Sequence, residues 1–211
     1  MEQIELFKDI DDNQLNSFIK KTNARKISFK KDMTIMSNLK NTNDVGVVLK
    51  GETALLRIDY NGNRTIVSNY VKGDIFGGKF SDFLSEEHSI ISISDCQILF
   101  IEYEELINSL SNNPWSKTLT NNIVNILIKE NHKDNTRIEI LTKRTTREKL
   151  LHYFHSLEQE YSKTSFTIPF SLTNLSEYLA VDRSAMQREI KNLKDEGFID
   201  MKGKNVTIIY H

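Results

Sequence analysis

One short stretch of the sequence carries side chains that could contact another molecule in an ordered way: AVDRSAMQREIKNLKDEGFI, residues 180–199. At about 100° per residue, an α-helix here places five polar side chains within an arc of about 140°; they are Arg183, Ser184, Gln187, Arg188 and Lys191. Arginine can bind a guanine edge bidentately and glutamine can pair with adenine, while lysine and serine suit phosphates or base edges. These side chains are suited to recognising DNA bases, and the alternative is a solvated helix face.

The residues around the arc predict two helices, Thr173 to Ala180 and Asp182 to about Glu196. Thr173 and Asp182 can cap them, because a hydroxyl or carboxylate oxygen accepts a backbone N–H at a helix start. Gly197 is suited to end the second helix. A separate apolar face of the second helix would pack on the first helix and on the strand that follows, in a core of Met186, Ile190, Leu193, Leu175, Leu179 and Ile199. Two helices with a tight turn, followed by a hairpin, match a winged helix-turn-helix.

The first half of the chain has a different periodicity. Residues 1 to about 22 are predicted to form one amphipathic helix. From Arg25 to Tyr103 apolar and polar residues alternate in short segments such as DVGVVLKGETALLRI and HSIISISDCQILFIEY. DYNGNRT, with Asn61 and Gly62 in the turn, gives the strongest hairpin signal. Several short strands at regular spacing predict a sandwich or barrel-like roll.

A helix of some 30 residues without Gly or Pro is predicted after Pro114. Its narrow apolar stripe consists of Leu119, Ile123, Ile126, Ile140 and Leu141. A long helix with such a stripe commonly packs against a twin, so the stripe is predicted to form a dimer interface. The alternative is a helix that only covers the roll. The predicted domains are a β-roll at 1–114, a dimerisation helix at 115–142 and a winged helix-turn-helix at 143–211, in an α+β fold.

A family resemblance adds to this interpretation. The stretch SLTNLSEYLAVDRSAMQREIKNLKDEGFI resembles the C-terminal helix-turn-helix of the Crp/Fnr family of bacterial transcription regulators. The resemblance continues upstream through ILTKRTTREKLLHYF, and VVLKGETALL and VKGDIFGG resemble the family's cyclic-nucleotide-binding β jelly roll. The resemblance implies a sequence-specific DNA-binding regulator that is a homodimer through its long helix and places its recognition helix in the major groove.

In that resemblance the base-contacting positions fall on Arg183, Ser184, Gln187 and Arg188. Ser184 departs from the glutamate that is frequent at its position, so the half-site sequence stays open. Asp182 replaces a frequent serine, but either residue can cap a helix. Lys191 and Thr173 complete the predicted DNA-binding set, and RNA polymerase is a further candidate partner.

The roll departs from the family members that bind cyclic AMP. Those members carry a phosphate cassette in which a glutamate holds the ribose hydroxyl and an arginine neutralises the cyclic phosphate. Here the segment reads GDIFGGKFSDFLSEEHSIISISDC, with Gly78 at the glutamate position and Glu86 and Glu87 in the region of the arginine. Enclosing a phosphate without a cation costs several kcal/mol, and Lys79 offers only a point charge.

No response to cyclic AMP is therefore expected. Gly77, Gly78 and Lys79 are predicted to line an effector pocket. Its ligand would be an unknown, less anionic small molecule, and the alternative is a roll without an effector.

The other features of the sequence exclude several functions. The 211 residues carry a net charge of -1, which by itself gives no argument for nucleic acid. One cysteine, Cys96, excludes an internal disulfide and a cluster held by several cysteines of one chain. Because the common catalytic motifs are missing, no enzyme activity, metal or cofactor is predicted. No apolar run approaches the ~20 residues that span a bilayer, and a cytoplasmic protein without membrane contact is expected.

The alternative function is a ligand-binding or protein-docking roll whose helix-turn-helix no longer binds DNA.

Overall fold

The computed structural model describes residues 4–37, 43–77, 87–111 and 113–209. The chain divides into two compact units, Met1–Asn131 and His132–His211. The strands of the first unit are β1 (Arg25–Phe29), β2 (Thr34–Ser37), β3 (Asp44–Lys50), β4 (Thr53–Ile58), β5 (Arg64–Tyr70), β6 (Ile75–Gly77), β7 (His88–Ser92) and β8 (Cys96–Glu102).

These strands form two four-stranded sheets with the orders β1-β8-β3-β6 and β2-β7-β4-β5. Pairing is antiparallel and nested: β1 pairs with β8, β2 with β7, β3 with β6 and β4 with β5. Strands that wrap in this order define a jelly roll. A core cluster with members from both sheets, including Val48, Leu55, Phe76 and Ile98, is buried. The predicted fold class is confirmed.

The hairpin between β4 and β5 follows the sequence signal. Gly62 has a φ of 81°, in the left-handed region that glycine tolerates. The Asp59 carboxylate accepts the backbone N–H groups of Asn61 and Asn63, each at 2.9 Å. The turn is therefore held by residues next to it in sequence.

The N-terminal region is not the single helix that was predicted. A short 3-10 turn at Glu5–Phe7 is followed by α1 at Asp12–Lys21. Asp9, at φ 59°, separates the two segments, and the Asp11 side chain caps α1 by accepting from the N–H of Gln14 at 2.9 Å. Aspartates compete for backbone N–H groups and so favour caps over helix interiors, which explains why the helix restarts here.

Two further helices follow the roll, α2 (Tyr103–Ser109) and α3 (Ser116–Leu141). The first turns of α3 pack into a core cluster that also contains the N-terminal segment, α1 and strand residues such as Val45, Val47 and Ile101. Asn122, which is 5% exposed, donates to the backbone carbonyls of Leu6 at 3.1 Å and Lys8 at 2.8 Å. In the first unit α3 is therefore a core element of the single chain.

Three of the predicted dimer residues lie in this core. Leu119, Ile123 and Ile126 are 0%, 7% and 2% exposed in the single chain, so none of the three has a surface left for a partner. A hydrophobic stripe indicates that one helix face is covered, but it does not indicate by what. Of the other two members of the stripe, Ile140 is buried and Leu141 is partly buried.

The second unit contains α4 (Thr146–Tyr161), β9 (Ser165–Thr167), α5 (Leu172–Leu179), α6 (Arg183–Asp195), β10 (Ile199–Lys202) and β11 (Asn205–Ile208). Its three strands form an antiparallel sheet in the order β10-β11-β9. The six core residues predicted for the helix pair are all buried. Two helices, a tight turn and a terminal hairpin form the predicted winged helix-turn-helix.

Candidate nucleic-acid interface

The turn between α5 and α6 is three residues long, from Ala180 to Asp182. Ala180 adopts the left-handed conformation, with φ 50° and ψ 56°, and the N–H of Val181 donates to the Ser176 carbonyl at 3.1 Å. The Lys149 ammonium, from α4, donates to the Leu179 carbonyl at 3.1 Å. These donors satisfy the carbonyl groups of Ser176 and Leu179 at the end of α5. The chain can therefore start α6 after a turn of only three residues.

Of the two predicted N-terminal caps, the one for α6 is observed and the one for α5 is not. Asp182 caps α6, since its carboxylate accepts the N–H of Ala185 at 2.8 Å. α5 is capped by Ser171, which accepts from Asn174 at 3.2 Å, so the prediction that Thr173 is the cap was wrong. Both Ser171 and Thr173 carry the hydroxyl that a cap needs, and the helix begins two residues earlier than Thr173 indicated. Thr173 is an exposed residue of the first turn of α5.

The end of α6 confirms the role predicted for Gly197. Gly197 has a φ of 78°, its N–H donates to the Lys194 carbonyl at 3.0 Å, and the N–H of Phe198 donates to the Leu193 carbonyl at 2.9 Å. This pair of bonds is the Schellman motif, which needs a left-handed residue after the helix. It turns the chain directly into β10, the first strand of the wing.

All five residues of the predicted arc on α6 are exposed: Arg183, Ser184, Gln187, Arg188 and Lys191. The Ser184 hydroxyl donates to the Asp182 carboxylate at 2.6 Å. Together with the N–H of Ala185, this hydroxyl keeps the pKa of Asp182 below its ordinary value. Ser184 is therefore left as an acceptor, whereas the two arginines and Gln187 present donors.

A salt-bridge fork joins α4 to α6. Arg147 donates from Nη1 to Glu189 Oε1 at 3.2 Å and to Glu196 Oε1 at 3.0 Å, and from Nη2 to Glu196 Oε2 at 2.5 Å. Its guanidinium carbon lies 5.0 Å from the centre of the Phe198 ring. The hydrogen bond from Arg147 holds the pKa of Glu196 below its ordinary value. No sequence pattern indicates this contact, because Arg147 lies 42 and 49 residues from its two partners.

The same region contains an open cleft of about 540 Å³. Its lining residues come from the start of α4 and from α6: Thr145, Thr146, Arg147, Ala185, Arg188, Glu189, Lys191 and Asn192. The cleft therefore brings Arg188 and Lys191 next to Arg147 and Glu189. The α4 N-terminus itself is closed by a capping box, in which Thr145 and Glu148 bind each other's backbone N–H groups.

The last turns of α3 also belong to the second unit. Arg137 is 8% exposed, and its guanidinium carbon lies 4.2 Å from the centre of the Tyr178 ring on α5. Burial lowers the pKa of this arginine from its ordinary value. A cation stacked on an aromatic face is attracted by the ring quadrupole, and the contact ties the end of α3 to the helix pair.

The wing adds cations that were not predicted to take part in binding. Its turn lies at Gly203, with φ 62°, between the exposed residues Lys202 and Lys204. Lys204 donates to the Pro169 carbonyl at 2.6 Å, which fastens the wing to the unit. The only signal in the sequence was the composition of the turn, KGKN.

In the roll, Gly77 is the one predicted pocket residue within the described part of the chain, since Gly78, Lys79 and Glu86 lie outside it. Gly77 is buried at a φ of 78°, and a Cβ there would lie 2.8 Å from the Asp44 carbonyl oxygen. Glycine is therefore required at this position by backbone conformation and by close approach.

Phe76, the residue before Gly77 in the chain, packs with Tyr70 in the buried core of the roll. Phe76 is 1% exposed, its ring centre is 5.5 Å from that of Tyr70, and a Cβ on Gly46 would come within 2.4 Å of it. Nearby in sequence, Glu87 pairs with Arg57 at 2.8 Å. This pair could not be predicted from the sequence, because its members lie 30 residues apart.

Cys96 is buried, and burial raises the pKa of its thiol, which does not favour a reactive thiolate. Within residues 4–37, 43–77, 87–111 and 113–209, no three His, Cys, Asp or Glu side chains come together to hold a metal ion. Of the helices in the described ranges, none combines the length and the apolar character needed to cross a membrane.

A jelly roll followed by a long helix and a winged helix-turn-helix is an architecture of DNA-binding transcription regulators, and comparison with known families agrees. A family profile described as a cyclic nucleotide-binding domain matches residues 26–113. A second, described as a Crp-like helix-turn-helix domain, matches residues 148–210. The chain belongs to the Crp/Fnr family of DNA-binding transcription regulators and is not an enzyme.

Individual relatives are distant. The regulatory protein HlyX of Actinobacillus pleuropneumoniae is 22% identical over 194 residues, which cover 87% of this chain and 78% of HlyX. Among solved structures, FixK2 of Bradyrhizobium japonicum has a TM-score of 0.70 at 16% identity and covers 89% of this chain and 93% of its own. A mutant of CooA from Carboxydothermus hydrogenoformans has a TM-score of 0.75 at 16% identity, with 100% and 93% covered. At these identities the structures show a shared fold.

Proposed function

We propose that this chain is a homodimeric regulator that binds a specific duplex DNA sequence through α6 and does not respond to cyclic AMP. The observation that carries the proposal is the exposed arc of Arg183, Gln187 and Arg188 on α6. This helix is capped by Asp182 and follows α5 after a turn of three residues. Such an arc fits the major groove, where arginine and glutamine can distinguish base pairs. Lys191 in the same arc and Lys202 in the wing are also exposed, and lysines suit backbone phosphates.

The test is operator binding by matched variants. Once a bound sequence has been mapped with the wild-type dimer, Arg188→Ala is expected to lose about 1–3 kcal/mol and to relax specificity at one base pair, because it removes a bidentate base contact. Lys191→Ala is expected to weaken binding to all DNA sequences alike. It should also reduce the slope of log affinity against log salt concentration by about one, because one phosphate contact is lost. The two variants separate base recognition from phosphate binding.

The matched control is Lys163→Ala. Lys163 is exposed and follows the C-terminal end of α4, about 24 Å along the helix from the cleft at its start. The Lys163→Ala substitution removes one positive charge and leaves the arc unchanged, so operator affinity should stay within about twofold of wild type. If Lys163→Ala and Arg188→Ala lose operator affinity to the same extent, the arc is not part of the DNA interface. A wild-type protein that binds no duplex DNA would favour the alternative, a roll with a helix-turn-helix that no longer binds DNA.

The homodimer would use a different face of α3 from the predicted one. Val124, Leu127 and Ile128 are 47%, 43% and 51% exposed. Ile138, which is 60% exposed, follows Val124 at a distance of two heptads on the same helix. Apolar residues that repeat with a heptad period form the seam of two-stranded coiled coils. A second copy of the same chain offers the same face, which suits the self-complementary contact of a twofold dimer.

The proposed lack of response to cyclic AMP rests on charge and on packing. A cyclic phosphodiester needs a cation or several aligned donors. Arg57 is already paired with Glu87, and Phe76 and Tyr70 pack against each other in the buried core of the roll. These features favour a roll that serves as a scaffold for α3 or that takes a less anionic effector.

A further inference from the structure

The Arg147 fork holds α6 at two points. Glu189 and Glu196 are seven residues apart, so they lie two turns from each other on nearly the same side of the helix. Arg147 contacts both carboxylates, and its own position is fixed by the Phe198 ring at 5.0 Å. One contact would leave α6 able to pivot, whereas two contacts along one side resist both rotation about the helix axis and sliding along it.

The two carboxylates lie outside the proposed DNA-reading arc, on the side of the helix that follows Arg188. At about 100° per residue, Glu196 and Glu189 fall about 80° and 100° beyond Arg188. Glu189 and Arg188 line the same cleft as Arg147. The fork therefore contacts the side of α6 about a quarter of a turn from Arg188, which forms one edge of the arc.

Small rotations of α6 matter for base recognition. The side chains of a helix end about 5–6 Å from its axis, so a rotation of about 10° moves an arginine tip by about 1 Å. A bidentate contact requires two donor–acceptor distances near 2.7–3.2 Å at once, and a displacement of this size breaks one of them. Contacts to phosphates by flexible lysines tolerate the same displacement, because a point charge has no fixed fork.

We propose that Arg147 is a positioning residue that sets the sequence specificity of this protein by fixing the rotation of α6. The proposal rests on the DNA-binding function proposed above. Arg147 acts on DNA through Glu189 and Glu196, so cutting either end of the fork should have the same effect. The quantity that it controls is the ratio of operator affinity to affinity for unrelated duplex DNA.

The experiment measures this ratio for wild type, Arg147→Met, Glu189→Gln with Glu196→Gln, and the triple variant. Arg147→Met keeps the length and apolar contact of the side chain but removes the fork. It is expected to lower the ratio about tenfold, the effect of one lost base contact, while the affinity for unrelated DNA stays within about twofold. The double variant should lower the ratio to a similar extent. Adding Arg147→Met to it should have little further effect, because the fork is already cut.

A direct phosphate contact by Arg147 would give a different result. Arg147→Met would then weaken binding to operator and to unrelated DNA alike, and it would reduce the slope of log affinity against log salt concentration by about one. The same losses would be seen whether positions 189 and 196 carry glutamate or glutamine. That outcome, or a ratio unchanged in Arg147→Met, overturns the proposal. If Arg147→Met does not fold, the double variant with Arg147 in place tests the same point, and an unchanged ratio there also overturns it. Wild-type protein without any specific site would instead contradict the proposed function.

Discussion

Replacing Leu127 and Ile128 together by alanine should separate the proposed dimer without unfolding the chain. The two side chains are 43% and 51% exposed in the protomer. Complete burial of such a side chain contributes about 1.5–3 kcal/mol, so the exposed half leaves about 1 kcal/mol each for a partner to cover. A twofold dimer contains each side chain twice, which gives a loss of about 4 kcal/mol and a dissociation constant raised about a thousandfold.

Sedimentation equilibrium over a range of concentrations measures this change directly. The matched control is Ile123→Ala, on the same helix but 7% exposed within the protomer's own core. A buried isoleucine-to-alanine change costs about 2–5 kcal/mol of folding stability, so this variant should unfold earlier in denaturant and yet stay dimeric while it is folded. The two variants therefore act on different equilibria.

If Leu127→Ala with Ile128→Ala dimerises as tightly as wild type, these side chains are not in the dimer interface. If Ile123→Ala yields folded monomers, the buried stripe is the interface instead.

Two further outcomes are expected. Calorimetry with millimolar cyclic AMP should detect no binding, and micromolar affinity together with tighter operator binding would contradict the proposed pocket chemistry. The pKa of Asp182 is lowered in the folded protein by Ser184 and Ala185, so its contribution to stability is complete above the ordinary value of 3.8 and is lost as the pH falls through the lowered value. Asp182→Asn keeps a cap and should flatten this acid dependence in thermal unfolding; an unchanged profile would show that the cap is not linked to protonation.

The local signals in the sequence were reliable because their causes are local. Asp182 and Gly197 act on N–H and carbonyl groups a few residues away, and the turn at Gly62 is closed by Asp59. Hydrophobic periodicity likewise reflects the geometry of a single element. Helix α6, its two neighbours and the roll could therefore be predicted, and so could the exposed arc, since polar residues on one helix face require nothing else to bring them together.

Where neighbouring residues offered equal chemistry, the sequence was ambiguous. Ser171 and Thr173 both carry a hydroxyl that can cap a helix, and the earlier one does so. In the N-terminal region a continuous apolar pattern hid a break at Asp9. The first error shifts the start of one helix and the second divides one predicted helix into two segments, because helix ends depend on a few competing hydrogen bonds.

The sequence by itself determined the elements, the caps of α6 and the chemistry of its exposed face. The tertiary structure alone decided which residues on α3 belong to the protomer's core, because Leu119 and Leu127 are equally apolar in a pattern and differ only in what covers them. It also decided that Arg147 holds Glu189 and Glu196. Side chains more than 40 residues apart meet only when the whole unit has folded, and no periodicity records such a pair.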